Sequence, residues 1–206
     1  MAVCYGLQGS DIKRGNAMAR LAIVLTNGYA DGECAYLYGV GSAHFGIETV
    51  IVAPGGNNIV SMGGLQTVPA ADLSSVEAGA FDVLIICGGT IWETDTAPDL
   101  KQLAMGFLDA GKHVAAICGA TLALADAGML DGISHTSNSA AYLIGKSPKY
   151  NGVLHYLDKV TAIADRNVIT APGHAPVYFA AAIFRAVGVD EQMVRGFEDM
   201  AVAGHC

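Results

Sequence analysis

Short apolar runs alternate along the chain with longer segments of helical periodicity. Three of the runs, LAIVL, DVLIIC and HVAAIC, are apolar at almost every position, which is typical of strands buried on both faces of a parallel sheet. The pattern predicts strands at Arg20–Leu25, Thr49–Ala53, Asp82–Cys87, Lys112–Ile117 and Asn167–Thr170. It predicts helices at about Gly32–His44, Pro98–Ala110, Gly119–Ala127, Ala175–Ala186 and Glu191–Met200. This alternation indicates a parallel α/β sandwich.

The two ends of this pattern suggest how the chain is organised. Residues 1–17 carry no clear structural signal, and a predicted strand begins two residues after Met18. We therefore expect an N-terminal extension at residues 1–17 and one domain over residues 18–206. The segment GGLQTV, from Gly63 to Val68, predicts a small hairpin arm.

Composition changes this picture mainly by suggesting a subunit interface. Apolar residues make up 52% of the 206 residues and charged residues only 15%, so we expect part of the surface to be covered in a homodimer. The net charge of −8, with only 11 Lys and Arg, argues against a nucleic-acid partner. The longest mostly apolar segment, Val114–Ala125, is too short to span a membrane.

The cysteines indicate a reducing environment. All 5 lie far apart in sequence, without C-x-x-C pairs or the Cys and His spacing of a zinc site, so we expect free thiols and no bound metal. No basic segment followed by an apolar stretch marks a signal peptide at the N-terminus. We therefore expect a cytoplasmic protein.

Cys118 is the candidate nucleophile. It lies where a buried strand ends and a helix begins, and open α/β sheets place their sites beyond the carboxyl ends of strands. A nucleophile elbow needs small neighbours, which Ala116, Gly119 and Ala120 provide. A helix N-terminus behind the sulfur is expected to favour the thiolate. The alternative is a core cysteine, because free thiols are among the most buried side chains.

Two further groups could serve such a thiolate. Gly88 and Gly89 follow a second buried strand, where bare backbone can approach a ligand closely, so Gly89 together with Gly119 could donate amides to an oxyanion. Glu33 follows the first strand. It could be an ordinary acidic residue at a helix start, or a partly buried, protonated carboxyl that hydrogen-bonds the sulfur.

These pieces together resemble the DJ-1/PfpI superfamily, which is related to class I glutamine amidotransferases. The resemblance covers about residues 19 to 188. The matching segments are GYADGE with Glu33, GGLQTVPAADL, DVLIICGGTIW, AAICGAT with Cys118, AGMLDG and ITAPGHAPVYFA. It implies a flavodoxin-like three-layer α/β sandwich with a mostly parallel central sheet, usually a homodimer, with an elbow cysteine, a carboxyl partner and a backbone oxyanion site.

The chain departs from this family pattern at its histidines. Members with peptidase activity commonly carry His directly after the cysteine, where this chain has Gly119. Other members carry His after the Leu-Asp-Gly turn, at the position of Asn138 here, while His135 lies three residues earlier and would point to the opposite face of a strand. The second candidate is His174, in the APGHAP segment that resembles a family loop over the cysteine.

The predicted site therefore comprises Cys118, Glu33, His174 and His135 as catalytic candidates. Oxyanion or substrate contacts are expected from Gly88, Gly89, Gly119, Trp92 and Asn138. The leading interpretation is a hydrolase-like or amidotransferase-like enzyme that acts on a small carbonyl, amide or related substrate without a metal or organic cofactor. One alternative is a redox-sensing or stress-response protein with the same oxidisable cysteine. Another is a binding module without turnover.

Overall fold

The computed structural model describes residues 18–203, so the proposed extension at residues 1–17 lies outside the described residues. The strands are β1 (Arg20–Val24), β2 (Glu48–Ala53), β3 (Ile59–Val60), β4 (Gln66–Thr67), β5 (Ala71–Asp72), β6 (Val83–Ile86), β7 (His113–Ile117), β8 (Ile163–Asp165) and β9 (Val168–Ala171). The helices are α1 (Ser42–His44), α2 (Lys101–Asp109), α3 (Thr121–Asp126), α4 (Ala140–Lys146), α5 (Pro176–Ala186) and α6 (Glu191–Ala203).

Seven of the strands form one sheet in the order β5-β2-β1-β6-β7-β9-β8. All neighbours pair in parallel except β8, which pairs antiparallel with β9. In the centre of the sheet Ile23 lies opposite Ile51 on one side and Ile85 on the other. The middle strands are covered on both faces, which is why their sequences are continuously apolar.

Helices cover both faces of this sheet. On one face α5 and α6 pack with the helical segment at residues 35–44, through side chains such as Leu37, Phe184 and Phe197. On the other face α2, α3 and α4 pack through side chains such as Phe107 and Leu143. The result is the predicted flavodoxin-like three-layer α/β sandwich with a mostly parallel central sheet.

The observed elements differ from the predicted ones mainly at helix starts and at the sheet edges. The first helical segment begins at residue 35 rather than at Gly32 and is π-helical over Leu37–Gly41. A hairpin arm is present, but it pairs β3 with β4, so the predicted segment Gly63–Val68 covers only its turn and second strand. The short elements β5, β8 and α4 were not predicted. No helix within residues 18–203 combines the length and apolarity needed to cross a membrane.

Candidate functional site

Four chain segments meet where the parallel strands β1, β6, β7 and β9 end. Glu33 lies beyond β1, Gly88 beyond β6, Cys118 directly after β7 and Gly173 beyond β9. Because parallel strands present their carboxyl ends at one edge, residues far apart in sequence converge there. The topology therefore places the site at the crevice that the sequence predicted.

Cys118 occupies a strained turn. Its φ of +56° lies in the left-handed region, which costs a residue with a side chain about 1–3 kcal/mol. Ala116 and Ala120 are fully buried, so the turn has no room for larger neighbours. The Cys118 carbonyl accepts a hydrogen bond from the Thr121 hydroxyl at 2.7 Å, which fixes the start of α3. The strain holds a half-buried sulfur at the mouth of the crevice.

Glu33 is the carboxyl that faces this sulfur. Its side chain is 6% exposed, and its Oε2 atom accepts a hydrogen bond from the Gly88 amide at 2.8 Å. A Cβ atom at Gly88 would overlap Glu33 Oε2 and lie 2.8 Å from the Cys118 Cβ. Gly88 therefore leaves the space in which the carboxyl and the cysteine come together.

Burial sets the protonation of this pair. It raises the pKa of Glu33 to about 7, against smaller lowering effects of the hydrogen bonds with Cys118 and the Gly88 amide. Burial and the nearby Glu33 charge also raise the pKa of the Cys118 thiol, although hydrogen bonds from Asn138 and the Gly119 amide lower it. The Gly119 amide at the helix start thus favours the thiolate, as expected, but burial and the Glu33 carboxylate outweigh it.

Asn138 joins the sulfur to the loop that covers it. Its Nδ2 atom donates to Cys118 Sγ at 3.4 Å, and its Oδ1 atom accepts a hydrogen bond from the Gly173 amide at 3.0 Å. A Cβ atom at Gly173 would lie 2.8 Å from Cys118 Sγ and 3.3 Å from Glu33 Oε1. Gly173 therefore lies close against both reactive groups. Sequence reasoning missed this residue, although the Pro-Gly pair at 172–173 indicated a tight turn beside His174.

The oxyanion candidates Gly89 and Gly119 lie side by side. A Cβ atom at Gly119 would be 2.8 Å from the Gly89 carbonyl oxygen. Within residues 18–203, neither amide donates a hydrogen bond to a protein oxygen, and the Gly119 amide lies close enough to the Cys118 sulfur to lower the pKa of the thiol. Both donors are therefore available to a ligand that reaches the sulfur.

A group of three polar side chains lies at the mouth of the crevice. The Tyr142 hydroxyl donates to Glu93 Oε1 at 3.1 Å, and Lys146 Nζ lies 3.0 Å from Glu93 Oε2. Trp92, predicted to contact substrate, is buried beside them and donates its ring N–H to the Cys87 carbonyl at 2.9 Å. The Ser139 side chain, which caps α4, was the available sequence signal for the helix that carries Tyr142.

The structure does not bring His135 to the sulfur. This residue is fully buried, with Nδ1 at 2.8 Å from the Ile133 carbonyl and Nε2 at 2.7 Å from the Tyr150 hydroxyl. Burial lowers the pKa of its imidazole. His174 is exposed beside Gly173 and has no hydrogen-bond partner within residues 18–203. No histidine in that range hydrogen-bonds to Cys118.

Two other thiols lie close behind the site. Cys34 and Cys87 are buried and free, and Cys87 Sγ lies 4.0 Å from Glu33 Oε2. A hydrogen bond with Cys34 and burial raise the pKa of the Cys87 thiol well above its ordinary value. The alkylation rates of Cys34 and Cys87 can therefore serve as references for that of Cys118 in the same protein. Within the described part of the chain, no three His, Cys, Asp or Glu side chains converge as metal ligands would.

Comparison with known proteins agrees with this fold. The chain is 35% identical over 143 residues to the uncharacterized protease YoaZ of Bacillus subtilis, covering 69% of this chain and 68% of YoaZ. It is 28% identical over 161 residues to the dj-1beta protein of Drosophila melanogaster, covering 75% and 82% of the two chains.

Among solved structures, the DJ-1 superfamily protein Atu0886 of Agrobacterium tumefaciens superposes with a TM-score of 0.86 at 36% identity, covering 92% of this chain and all (100%) of that one. The model of the DJ-1/PfpI family matches residues 19–186. The chain belongs to the DJ-1/PfpI family.

Proposed function

We propose that this protein is a cysteine-dependent enzyme in which Cys118 attacks the carbonyl carbon of a small substrate. The observation that carries the proposal is the Glu33 carboxyl, buried against the sulfur with a pKa raised to about 7. A base of that pKa is well matched to proton transfer at neutral pH. The covering loop at Gly173 restricts the site to small or slender substrates.

The chemistry starts from a neutral thiol and an ionised Glu33. As the Cys118 sulfur forms its bond to the carbonyl carbon, the thiol proton passes to the Glu33 carboxylate. The carbonyl π electrons move to oxygen, where hydrogen bonds from the Gly89 and Gly119 amides would stabilise the negative charge. The protonated Glu33 then returns its proton, either to that oxygen for an aldehyde or to the leaving group for an amide.

The test is the pH dependence of alkylation by iodoacetamide, read by mass spectrometry at each cysteine. Cys118 is expected to react at least about tenfold faster than Cys34 or Cys87, which are buried and lie away from the mouth. Its rate should rise with pH through about 7, because the Glu33 carboxylate becomes available as the base. In Glu33→Gln that inflection should disappear, leaving only the rise at higher pH from ionisation of the thiol itself. Equal rates at the three cysteines would contradict the proposal.

A second candidate is a redox sensor that uses the same sulfur. It is supported by the absence of a histidine hydrogen-bonded to Cys118 within residues 18–203, and by the protonated form of Glu33, which could hydrogen-bond an oxidised sulfur. Exposure to hydrogen peroxide separates the two. Stable gain of oxygen atoms at Cys118, with no turnover of aldehydes or amides, would favour the sensor.

The β3–β4 hairpin supports a further proposal, that the chain forms a homodimer. It exposes Val60, Met62 and Leu65, and the following Val68 is 75% exposed. Apolar side chains clustered on one projecting arm are typical of a covered surface. Because the chain has so few charged residues, we expect a second copy of the same chain to cover this surface. The free thiols of Cys34, Cys87 and Cys118 support a cytoplasmic location.

A further inference from the structure

The short helix α4 holds a phenol at the mouth of the site. The Ser139 side chain accepts a hydrogen bond from the Tyr142 amide at 3.0 Å, and Leu143 is fully buried against the sheet, so the orientation of the helix is fixed at two points. Tyr142 and Lys146 lie one turn apart and both contact Glu93. Glu93 ends the 3-10 turn Thr90–Glu93 that directly follows Gly89. The phenol is thus tied to the loop that carries one oxyanion donor.

The Tyr142 hydroxyl also lies beside the other oxyanion donor. A Cβ atom at Gly119 would be 3.4 Å from Tyr142 Oη and 3.6 Å from Trp92 Cδ1. Any side chain at position 119 would meet these two groups, so the glycine there leaves the hydroxyl open to the space above the Gly119 amide. Burial raises the pKa of Tyr142 most, and the charges of Glu93, Cys118 and Glu33 raise it further.

We propose that the Tyr142 hydroxyl is a third hydrogen-bond donor to the substrate oxyanion, and that it favours addition to a carbonyl over other reactions of the Cys118 sulfur. This inference rests on the proposed function, because it requires Cys118 to attack the substrate. With an aldehyde, the C–S bond forms, the carbonyl π bond breaks, and the thiol proton passes through Glu33 to the new hydroxyl. The product is a hemithioacetal, and no oxidant or reductant is consumed.

Glu93 and Lys146 explain how the hydroxyl can leave its resting partner. At rest the phenol hydrogen is donated to Glu93, and the burial and charges around Tyr142 keep the phenol protonated at neutral pH. When an oxyanion forms above Gly119, rotation about the phenol C–O bond redirects that hydrogen to it. Lys146 keeps Glu93 paired meanwhile. Without the Lys146 ammonium, the Glu93 carboxylate would compete more strongly for the hydrogen and would repel the oxyanion.

The test compares two reactions of Cys118 that differ in whether an oxyanion forms. With iodoacetamide, the Cys118 sulfur displaces iodide from carbon and no oxyanion forms. With acetaldehyde, the sulfur adds to the carbonyl carbon and an oxyanion forms. The protein is mixed with acetaldehyde for increasing times before a short pulse of iodoacetamide, and the rate at which protection develops measures the rate of addition. In Tyr142→Phe that rate of addition should fall about tenfold, the effect of one lost hydrogen bond to the oxyanion, while the unprotected alkylation rate stays within about twofold.

Two further variants complete the test. Lys146→Met, at an exposed position, should also lower the rate of acetaldehyde addition severalfold. Tyr36→Phe is the matched control, because the Tyr36 ring packs edge-on against Phe197 and its hydroxyl has no hydrogen-bond partner within residues 18–203. It should match the wild-type protein in both reactions.

The outcomes separate this inference from the proposed function. If Cys118 is selectively alkylated but acetaldehyde protects Tyr142→Phe as fast as the wild type, or gives no protection at all, the role of Tyr142 is overturned while the reactive thiol stands. If Tyr142→Phe slows both reactions alike, the residue is structural and the inference is again overturned. If Cys118 reacts no faster than Cys34, the proposed function itself fails.

Discussion

Removing the charge of Glu33 should change how the stability of the protein depends on pH. Glu33→Gln keeps the size of the side chain and an oxygen that can accept the hydrogen bond from the Gly88 amide. In the wild type the Gly88 nitrogen lies 2.8 Å from Glu33 Oε2. It removes only the group that titrates. Since the wild-type carboxyl is 6% exposed, water screens it little, and its full effect should appear in the free energy of unfolding.

The size of the effect follows from the pKa of Glu33. Burial raises it from 4.5 to about 7 in the folded protein. Between these values the folded chain holds a proton that the unfolded chain has lost, so stability falls as the pH rises and levels off above about 7. At about 1.4 kcal/mol for each tenfold change in the proton equilibrium, the wild type should lose roughly 3 kcal/mol relative to Glu33→Gln across this range.

The assay is urea unfolding of both proteins at intervals from pH 4.5 to pH 8. The quantity of interest is the difference between their free energies of unfolding, because titrations common to both proteins cancel in it. That difference should grow in favour of Glu33→Gln with rising pH. Glu77→Gln, at an exposed position, controls for the loss of a carboxyl and should follow the wild type. A difference that is flat with pH, or that grows in favour of the wild type, would refute the reasoning.

Three other changes test separate parts of the structure. Gly173→Ala places a methyl group 2.8 Å from the Cys118 sulfur and should slow alkylation of Cys118 at least about tenfold, at a cost in stability of about 1–3 kcal/mol from overpacking; an unchanged rate would show that the loop does not cover the sulfur. Val68→Asp should shift light-scattering mass from dimer toward monomer, whereas a wild type already monomeric would contradict the proposed interface. Tyr150→Phe leaves a buried nitrogen of His135 without its partner and should cost about 1–3 kcal/mol in urea unfolding, yet leave alkylation of Cys118 unchanged.

The sequence predicted best those parts of the fold that are buried on both faces. The strands β1, β6 and β7 are continuously apolar because helices cover both sides of the sheet, so their composition alone marks them. The edge strands β5 and β8 have two and three residues and are only partly buried. Such elements are defined by pairing with a neighbouring strand, which no local pattern records.

The residues of the candidate site also fall into those that the local sequence marks and those that depend on tertiary packing. Cys118, Glu33 and Gly88 could be located from sequence because each follows a predicted strand, and the topology of a parallel sheet brings strand ends together. Gly173 and Tyr142 could not, since their contacts depend on how a loop and a short helix cross the sheet edge. The protonation of the thiol was also beyond the sequence, because burial and the Glu33 charge oppose the helix start by amounts that only the structure gives.

The number of protons at this site limits its chemistry. Cys118 and Glu33 lie together in a buried crevice, where a negative charge on one raises the free energy of ionising the other. Near neutral pH the pair therefore holds between one and two protons. Addition to an aldehyde needs one proton, which leaves the thiol and ends on the new hydroxyl. Cleavage of an amide needs the same proton for the departing amine and then a second transfer to activate water for the acyl-enzyme. Glu33 could make both transfers only if it exchanged protons between two positions. The hydrogen bond from the Gly88 amide holds its carboxyl in place, so the geometry favours the single transfer of a carbonyl addition.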